Sequence, residues 1–260
     1  MRFIILQFSV LSSGSKGNAL FIQSQNACIL IDAGLSLREL TARLTAIGRS
    51  PGNLDALLLT HEHSDHLRGV GPLSRRHHVP IYSTEGTWLG SKQSVGNVFD
   101  WRFFLPNDSF WIQDIEIEAY PTPHDAEESV AFVVRQGENK IGHATDLGVV
   151  TPAIVEKLRG VDVLLVEANH DETLLDAGPY PWSLKQRIKS DLGHLSNQAC
   201  ADLLTKVKHK NLQTVILMHL SETNNHKSIA RLTAEQALQD SHAKILLAEQ
   251  DQPTQLLTIQ

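Results

Sequence analysis

Residues 54–66 constrain this chain more than any other stretch. The apolar run Leu54-Asp55-Ala56-Leu57-Leu58-Leu59 reads as a buried strand. It breaks directly into Thr60-His61-Glu62-His63-Ser64-Asp65-His66. Neutral imidazole and carboxylate are the donors that zinc, manganese and iron take from a protein. In an extended segment His61 and His63 project to the same side. Asp65 and His66 follow where the chain must turn, so they can face a neighbouring position. The spacing fits two metals better than one. One isolated histidine would read as part of a solvated polar loop; so dense a cluster of candidate ligands does not.

At 260 residues the chain can bury a sizeable core. It carries no repeat, low-complexity segment or obvious linker, so a single domain over residues 1–260 is expected. No apolar run approaches a membrane span. The start, Met1-Arg2-Phe3-Ile4-Ile5-Leu6-Gln7-Phe8, lacks a small-residue cleavage site and reads as a first strand, not a signal peptide. Cys28 and Cys200 are too few for a disulfide framework and have no metal-like spacing. Both are expected as reduced core residues of a cytoplasmic protein. The formal net charge of -6 argues weakly against nonspecific nucleic-acid binding, but it is an average. Arg68, Arg75 and Arg76 gather with His77 and His78, and Lys185, Arg187 and Lys189 form a second group. A third, Lys206, Lys208 and Lys210, reads as a solvated helix face. Bound divalent cations would also offset buried carboxylates.

Strand-like apolar runs fall at residues 3–11, 20–22, 27–31, 54–60, 79–82, 112–119, 130–134, 140–144, 161–166, 212–218 and 244–247. Gln136-Gly137-Glu138-Asn139 reads as a hairpin turn. Ser36 caps a stripe of Leu37, Leu40, Leu44 and Ile47 that Gly48 closes. Thr151 and Pro152 open a second helix that ends at Gly160. Ser196 caps a third toward Val207, and Ser228 opens a fourth through Leu232 and Leu238. Mixed strands with helices between them predict an α/β sandwich, sheets inside and helices outside.

Candidate ligands recur where these strands end. Residues 54–60 deliver His61, His63, Asp65 and His66; residues 140–144 deliver Asp146; residues 161–166 deliver Glu167; residues 212–218 deliver His219. Another strand leads through Pro121 and Pro123, which stiffen the approach, to His124. Rigid strand ends can bring such groups to one edge, as a preorganised site requires.

The His61–His66 run, Asp32 in Leu30-Ile31-Asp32-Ala33-Gly34, His124, Asp146 in Ala144-Thr145-Asp146-Leu147-Gly148, and His219 resemble the five motifs of the metallo-β-lactamase superfamily. The resemblance extends over nearly the whole chain to the YycJ/WalJ family of that fold. It runs through Leu11-Ser12-Ser13-Gly14-Ser15-Lys16-Gly17-Asn18, Glu167-Ala168-Asn169-His170-Asp171, Tyr180-Pro181-Trp182-Ser183-Leu184-Lys185-Gln186-Arg187-Ile188, Gly193-His194-Leu195-Ser196-Asn197, and His219-Leu220-Ser221-Glu222 with Asn224-Asn225. The family implies an αββα sandwich, two mixed sheets packed between outer helices, with hydrolytic chemistry. It implies one metal on His61, His63 and His124, and a second on Asp65, His66 and His219, with Asp146 bridging. Asp32 is implied to orient a ligand without binding metal, and Glu62 stays outside the set. Zinc is the default metal; manganese or iron suit the same donors. Asp146 stands near the position where β-lactam-opening sites often carry Cys, which argues against antibiotic hydrolysis.

Two divalent ions would make a shared, bridging hydroxide nucleophilic at neutral pH and clamp the attacking and leaving oxygens. His194 is the candidate proton donor to the leaving oxygen, with Glu167 holding its ring charged. The pair is similar to the Glu/His arrangement of RNA-processing phosphodiesterases in the superfamily. Asp65 counts among the catalytic groups as well as the ligands. Asn169, His170, Lys185 and Arg187 are candidate substrate contacts. Residues 182–189 mix Trp182 with three cations, which suits a phosphate backbone and a stacked base. The same segment also reads as an amphipathic helix burying Leu184 and Ile188. Gly14-Ser15-Lys16-Gly17-Asn18 lacks the ending of a phosphate-binding loop and reads as a tight turn, with Ser12 and Asn18 in reach of the site.

The leading expectation is a dinuclear metal phosphodiesterase, an exonuclease whose substrate and partner is DNA; the DNA part rests on the resemblance. A small-molecule hydrolase of the same fold is one alternative, acting on a cyclic nucleotide, phosphodiester, lactone or thioester. A non-catalytic metal-binding regulator is another, disfavoured because structural zinc sites are closed and rich in Cys.

Overall fold

A computed structural model describes residues 6–259 as two seven-stranded sheets. The first holds β1 (Gln7–Ser12), β2 (Ala19–Gln23), β3 (Cys28–Ile31), β4 (Ala56–Leu58), β5 (Ile81–Ser83) and β6 (Trp101–Phe103). The second holds β7 (Ser109–Ile112), β8 (Ile115–Pro121), β9 (Val130–Gln136), β10 (Asn139–Ala144), β11 (Val163–Glu167), β12 (Thr214–Met218) and β13 (Lys244–Leu247). A last strand, β14 (Leu257–Thr258), returns to pair with β1. Each sheet changes character at its middle. The antiparallel meander β1-β2-β3 gives way to parallel β3-β4-β5-β6, and the meander β7-β8-β9-β10 to parallel β10-β11-β12-β13.

Side chains alternate between two buried faces along these strands. Phe8, Val10, Ile29, Ile31, Ala56 and Leu58 meet Ile117, Phe132, Val134, Val163, Leu165 and Ile216 between the sheets. The intervening Phe21, Leu30 and Leu57 pack outward on Leu40 and Leu44 of α1 (Leu37–Ala46). Two short helices, α2 (Ser64–Leu67) and α3 (Val70–His77), add Leu67, Val70 and Leu73 to that layer, beside α4 (Glu85–Val95). On the far side Val133, Leu164, Val166, Val215 and Leu217 pack on α5 (Pro152–Leu158), and two further helices, α6 (Glu172–Ala177) and α7 (Trp182–Lys189), follow β11. That layer is completed by α8 (Asn197–Val207) and α9 (Lys227–Ala237). The αββα expectation holds.

The helix punctuation follows the sequence closely. Ser36 and Glu39 form a capping box, and Gly48 closes α1 at φ +71°. Thr151 and Ser196 cap α5 and α8. The fourth helix starts earlier than expected: His226 is its cap, and Ser228 lies within the first turn. The expected strand over 112–119 is two strands, because Gln113 takes φ +54° and turns the chain between β7 and β8. The Gly137-Glu138 turn is as expected, with Gly137 at φ +59°. Of the strand expected at 3–11, residues 3–5 lie outside the described residues. No helix among the described residues is long and apolar enough to cross a membrane.

Candidate active site

The site residues leave the sheets at the C-terminal ends of strands. Asp32 follows β3, His61 and His63 follow β4, Asp146 follows β10, Glu167 closes β11, and His219 follows β12. This edge is where α/β sheets hold ligands. His124 arrives from β8 through Pro123, and Asp65 and His66 lie in the single turn of α2. Gly34 lets the backbone of Asp65 come close: a Cβ there would collide with the Asp65 carbonyl. The resulting contact is a chain of bonds, Gly34 N–H to Asn18 O and Asn18 N–H to Asp65 O, at 2.9 and 2.8 Å.

Asp32, Asp146 and His219 all sit in the left-handed region, at φ +60°, +56° and +53°. Few non-glycine residues do so, and such conformations gather at functional sites. Neighbours hold them there. Asp32 N–H donates to Leu58 O at 2.8 Å. His219 N–H donates to Ser13 Oγ at 2.8 Å, and its carbonyl accepts from Asn169 Nδ2 at 2.9 Å.

Outer hydrogen bonds fix the tautomers of the first histidine group. Thr60 Oγ1 gives its one proton to Asp32 Oδ2 at 2.8 Å, so it accepts from His61 Nδ1 at 2.9 Å. His63 Nε2 donates to Asp125 O at 3.2 Å, and His124 Nδ1 to Gly193 O at 3.1 Å. What remain are His61 Nε2, His63 Nδ1 and His124 Nε2. His61, His63 and His124 each offer a ligand atom, all within 4.8 Å of one another. His61 Nε2 is buried with no partner, and His63 Nδ1 faces His124 Nε2 at 3.3 Å. With their outer nitrogens donating, neutral rings present three lone pairs to one point, a set that fits a cation, and outer bonds of this kind are those metal sites use.

A second group meets at Asp146. His66 gives Nδ1–H to Asp32 Oδ2 at 2.8 Å and turns Nε2 toward Asp65 and Asp146, 3.5 Å from each carboxylate. His219 Nδ1 lies 2.9 Å from Asp146 Oδ1 without hydrogen-bond geometry. Asp146 belongs to two ligand-competent clusters, one with His61 and His66 and one with Glu167, His194 and His219. Asp65 is outside both, at the edge, where Asn18 Nδ2 donates to it at 3.1 Å. Burial would raise the Asp146 carboxyl, but the His219 and His66 charges hold it well below its ordinary range. Burial likewise opposes charge on His219, yet Asp146 and Glu167 push it up to about 9. Imidazoles pushed up beside a carboxyl held down mark a concentration of negative charge of the kind a divalent cation occupies. The donor set fits a divalent metal.

Glu167 is fully buried. Its Oε2 accepts from the N–H groups of Leu147 and Leu195 at 3.1 and 3.2 Å, and its Oε1 from His194 Nδ1 at 2.7 Å. Burial would lower the His194 imidazole, but Glu167 outweighs it and raises the ring above its ordinary value. His194 lines a small cleft of about 180 Å³ with Asn169, Tyr180, Leu184, Arg187 and Ser15. Past Ser15 lies a wider hollow of about 500 Å³ that includes Lys16, Arg68 and Asp65.

The substrate candidates divide. Asn169 and Arg187 line the cleft, and Arg187 Nε pairs with Asp125 Oδ2 at 2.5 Å. Lys185 does not line it; its ammonium donates to Asp176 O at 2.7 Å. His170 is buried and does not line the cleft; its backbone pairs with that of Ser196. Trp182 is exposed at the start of α7, and Tyr180 is the aromatic that lines the cleft. The sequence reading misses Asp125, which holds His63 through its carbonyl, Arg187 through its carboxylate and Leu192 through its N–H. Its place directly after His124 is the only signal. Thr60 is missed too, although it heads the histidine run.

Residues 28–220 match the family described as beta-lactamase superfamily domain. Exodeoxyribonuclease YycJ of Bacillus anthracis is 36% identical over 237 residues, which is 90% of this chain and 90% of that protein. Exodeoxyribonuclease WalJ of Streptococcus pneumoniae serotype 2 is 38% identical over 237 residues, 90% of this chain and 88% of that one. Among solved structures, the metallo-beta-lactamase fold protein YhfI from Bacillus subtilis superposes with a TM-score of 0.75 at 17% identity, covering 97% of this chain and 99% of that one.

Proposed function

The chain belongs to the beta-lactamase superfamily and, within it, to the family of YycJ and WalJ, and from that premise we propose that it is a metal-dependent exodeoxyribonuclease. The observation that carries the reading is the convergence of ligand atoms from His61, His63 and His124 beside the Asp146 cluster. Relatives named as exodeoxyribonucleases at 36% and 38% identity supply the substrate class.

In this reading His61, His63 and His124 would hold one cation, and Asp65, His66 and His219 would hold the other, with Asp146 between the two groups. We infer zinc for the imidazole-rich group; the same donors accept manganese or iron. Bound there, two divalent ions supply water activation and Lewis-acid polarisation of a phosphoryl oxygen. The chain's own groups do the rest. Asp32 and Thr60 fix the tautomers of His66 and His61. Asp65 Oδ1 takes a proton from the attacking water. His194, charged by Glu167 on its Nδ1 side, donates its Nε2 proton to the leaving oxygen. Arg187 and Asn169 bind the phosphate backbone. Residues 1–260 act as one hydrolase unit, and two free thiols suit the reducing cytoplasm.

The test is degradation of end-labelled single- and double-stranded DNA by the purified protein with zinc or manganese. Stepwise shortening, abolished by chelation, is expected. A fully metallated protein that cleaves neither substrate overturns the reading.

A further inference from the structure

We propose that the cleft beside His194 is a pocket for one nucleobase, that of the nucleotide at the end of the strand, and that Tyr180 is its stacking platform. The proposal rests on the reading of the chain as a DNA exonuclease and adds how that enzyme grips an end. Tyr180 lines the cleft and is half-buried. Leu184 and Ile188, spaced one helical turn apart on α7, give the same cleft an apolar wall. Between them in sequence, Arg187 lines the cleft as well, and its partner is the single carboxylate of Asp125. An aromatic side chain, an aliphatic wall and a guanidinium together suit a base and the phosphate attached to it.

Size supports an end and not the middle of a duplex. The cleft has a volume of about 180 Å³, room for one base and not for a base pair. It adjoins His194, the proton donor, so its occupant belongs to the leaving side of the scissile phosphate. The wider hollow past Ser15 leaves space for the remaining strand. Trp182, at 72% exposure, is the more conspicuous aromatic in the sequence but lies outside the cleft.

The test is a cycle of enzyme against substrate. Y180A is expected to raise KM for DNA roughly tenfold, the loss of one stacked base, with kcat unchanged. Y180F, which keeps the ring, behaves as the wild type. Removing the terminal base from the DNA raises KM for the wild type by the same factor and leaves Y180A unaffected. A second readout does not depend on turnover. DNA carrying 2-aminopurine at its 5′ or 3′ end and a phosphorothioate linkage that resists cleavage is bound to the metallated protein. Fluorescence of one end is expected to be quenched by wild type and Y180F and not by Y180A. An unchanged KM in Y180A overturns the pocket. So does equal weakening of intact and abasic ends, which marks a structural role. Absence of DNA cleavage by the wild-type protein counts instead against the exonuclease reading, and the pocket falls with it.

Discussion

The carboxylate of Asp32 accepts from Thr60 N at 2.9 Å, Thr60 Oγ1 at 2.8 Å and His66 Nδ1 at 2.8 Å. Through these bonds one buried residue sets the tautomers of both His61 and His66. Losing such a support typically costs 10–100-fold in metal affinity. D32A should therefore weaken metal binding by about that factor, measured by competition with a chromophoric chelator. Unchanged affinity would show that His66 orients itself. His194 makes a contrasting case, because its ring is a proton donor in the proposed reaction. H194A should lower kcat by roughly 10²–10⁴-fold, the usual worth of general acid catalysis. Metal content, read by elemental analysis, should stay at the wild-type level. Loss of metal in H194A would instead make His194 a ligand, which its distance from Asp146 (3.7 Å) keeps in view. At this scale the ligand types are legible in the sequence, since each is an imidazole or carboxylate past an apolar run. Which nitrogen faces inward is not legible. It depends on carbonyls such as Asp125 and Gly193, supplied by distant backbone.

Elements show the same division. Most strands that carry the site, β3, β4, β11 and β12 among them, are apolar on both faces, so they stand out. The turn at Gln113 does not, because Ile112 and Ile115 flank it as a strand would and glutamine gives no turn signal. Helix α4 is hidden for a related reason: its buried residues are Thr87, Ser91 and Val95, two of them hydroxyl-bearing. The left-handed turns at Asp32, Asp146 and His219 carry no glycine to announce them. Between elements, Glu118 on β8 binds Arg135 on β9 at 2.6 Å and Lys157 on α5 at 2.5 Å. Burial alone would raise this carboxyl, but hydrogen bonds from Lys157 and Arg135 hold it below the ordinary range. A carboxyl depressed by folding stabilises the protein above its unfolded pKa, about 4.3, and loses that contribution as pH falls through the folded value. E118Q should thus cost about 1 kcal/mol near pH 7 in denaturant unfolding. The gap from wild type should close below about pH 4.3. A gap that is constant with pH would assign the effect to packing.

Across the whole molecule, the site joins the two sheets. Asp32, His61, His63, Asp65 and His66 come from the first sheet and its helices, and His124, Asp146 and His219 from the second. Cations held between them would clamp the sandwich, in addition to the apolar core. The same edge gathers His66 and His219 with the carboxylates of Asp32, Asp65 and Asp146. A ligand that binds only the folded state stabilises it by RT ln(1 + [L]/Kd), about 4 kcal/mol at a thousandfold excess over Kd. For a chain of this size each 1 kcal/mol is worth about 2–4 °C in Tm. Removing metal with a chelator should therefore lower Tm by roughly 8–16 °C, and adding zinc back should restore it. H63A should abolish most of the zinc-dependent rise while leaving the chelated Tm near that of the wild type, since the His63 ring is partly exposed and not part of the apolar core. A Tm indifferent to chelation would mean that the two sheets are held by the core alone and that the site binds metal too weakly to bridge them.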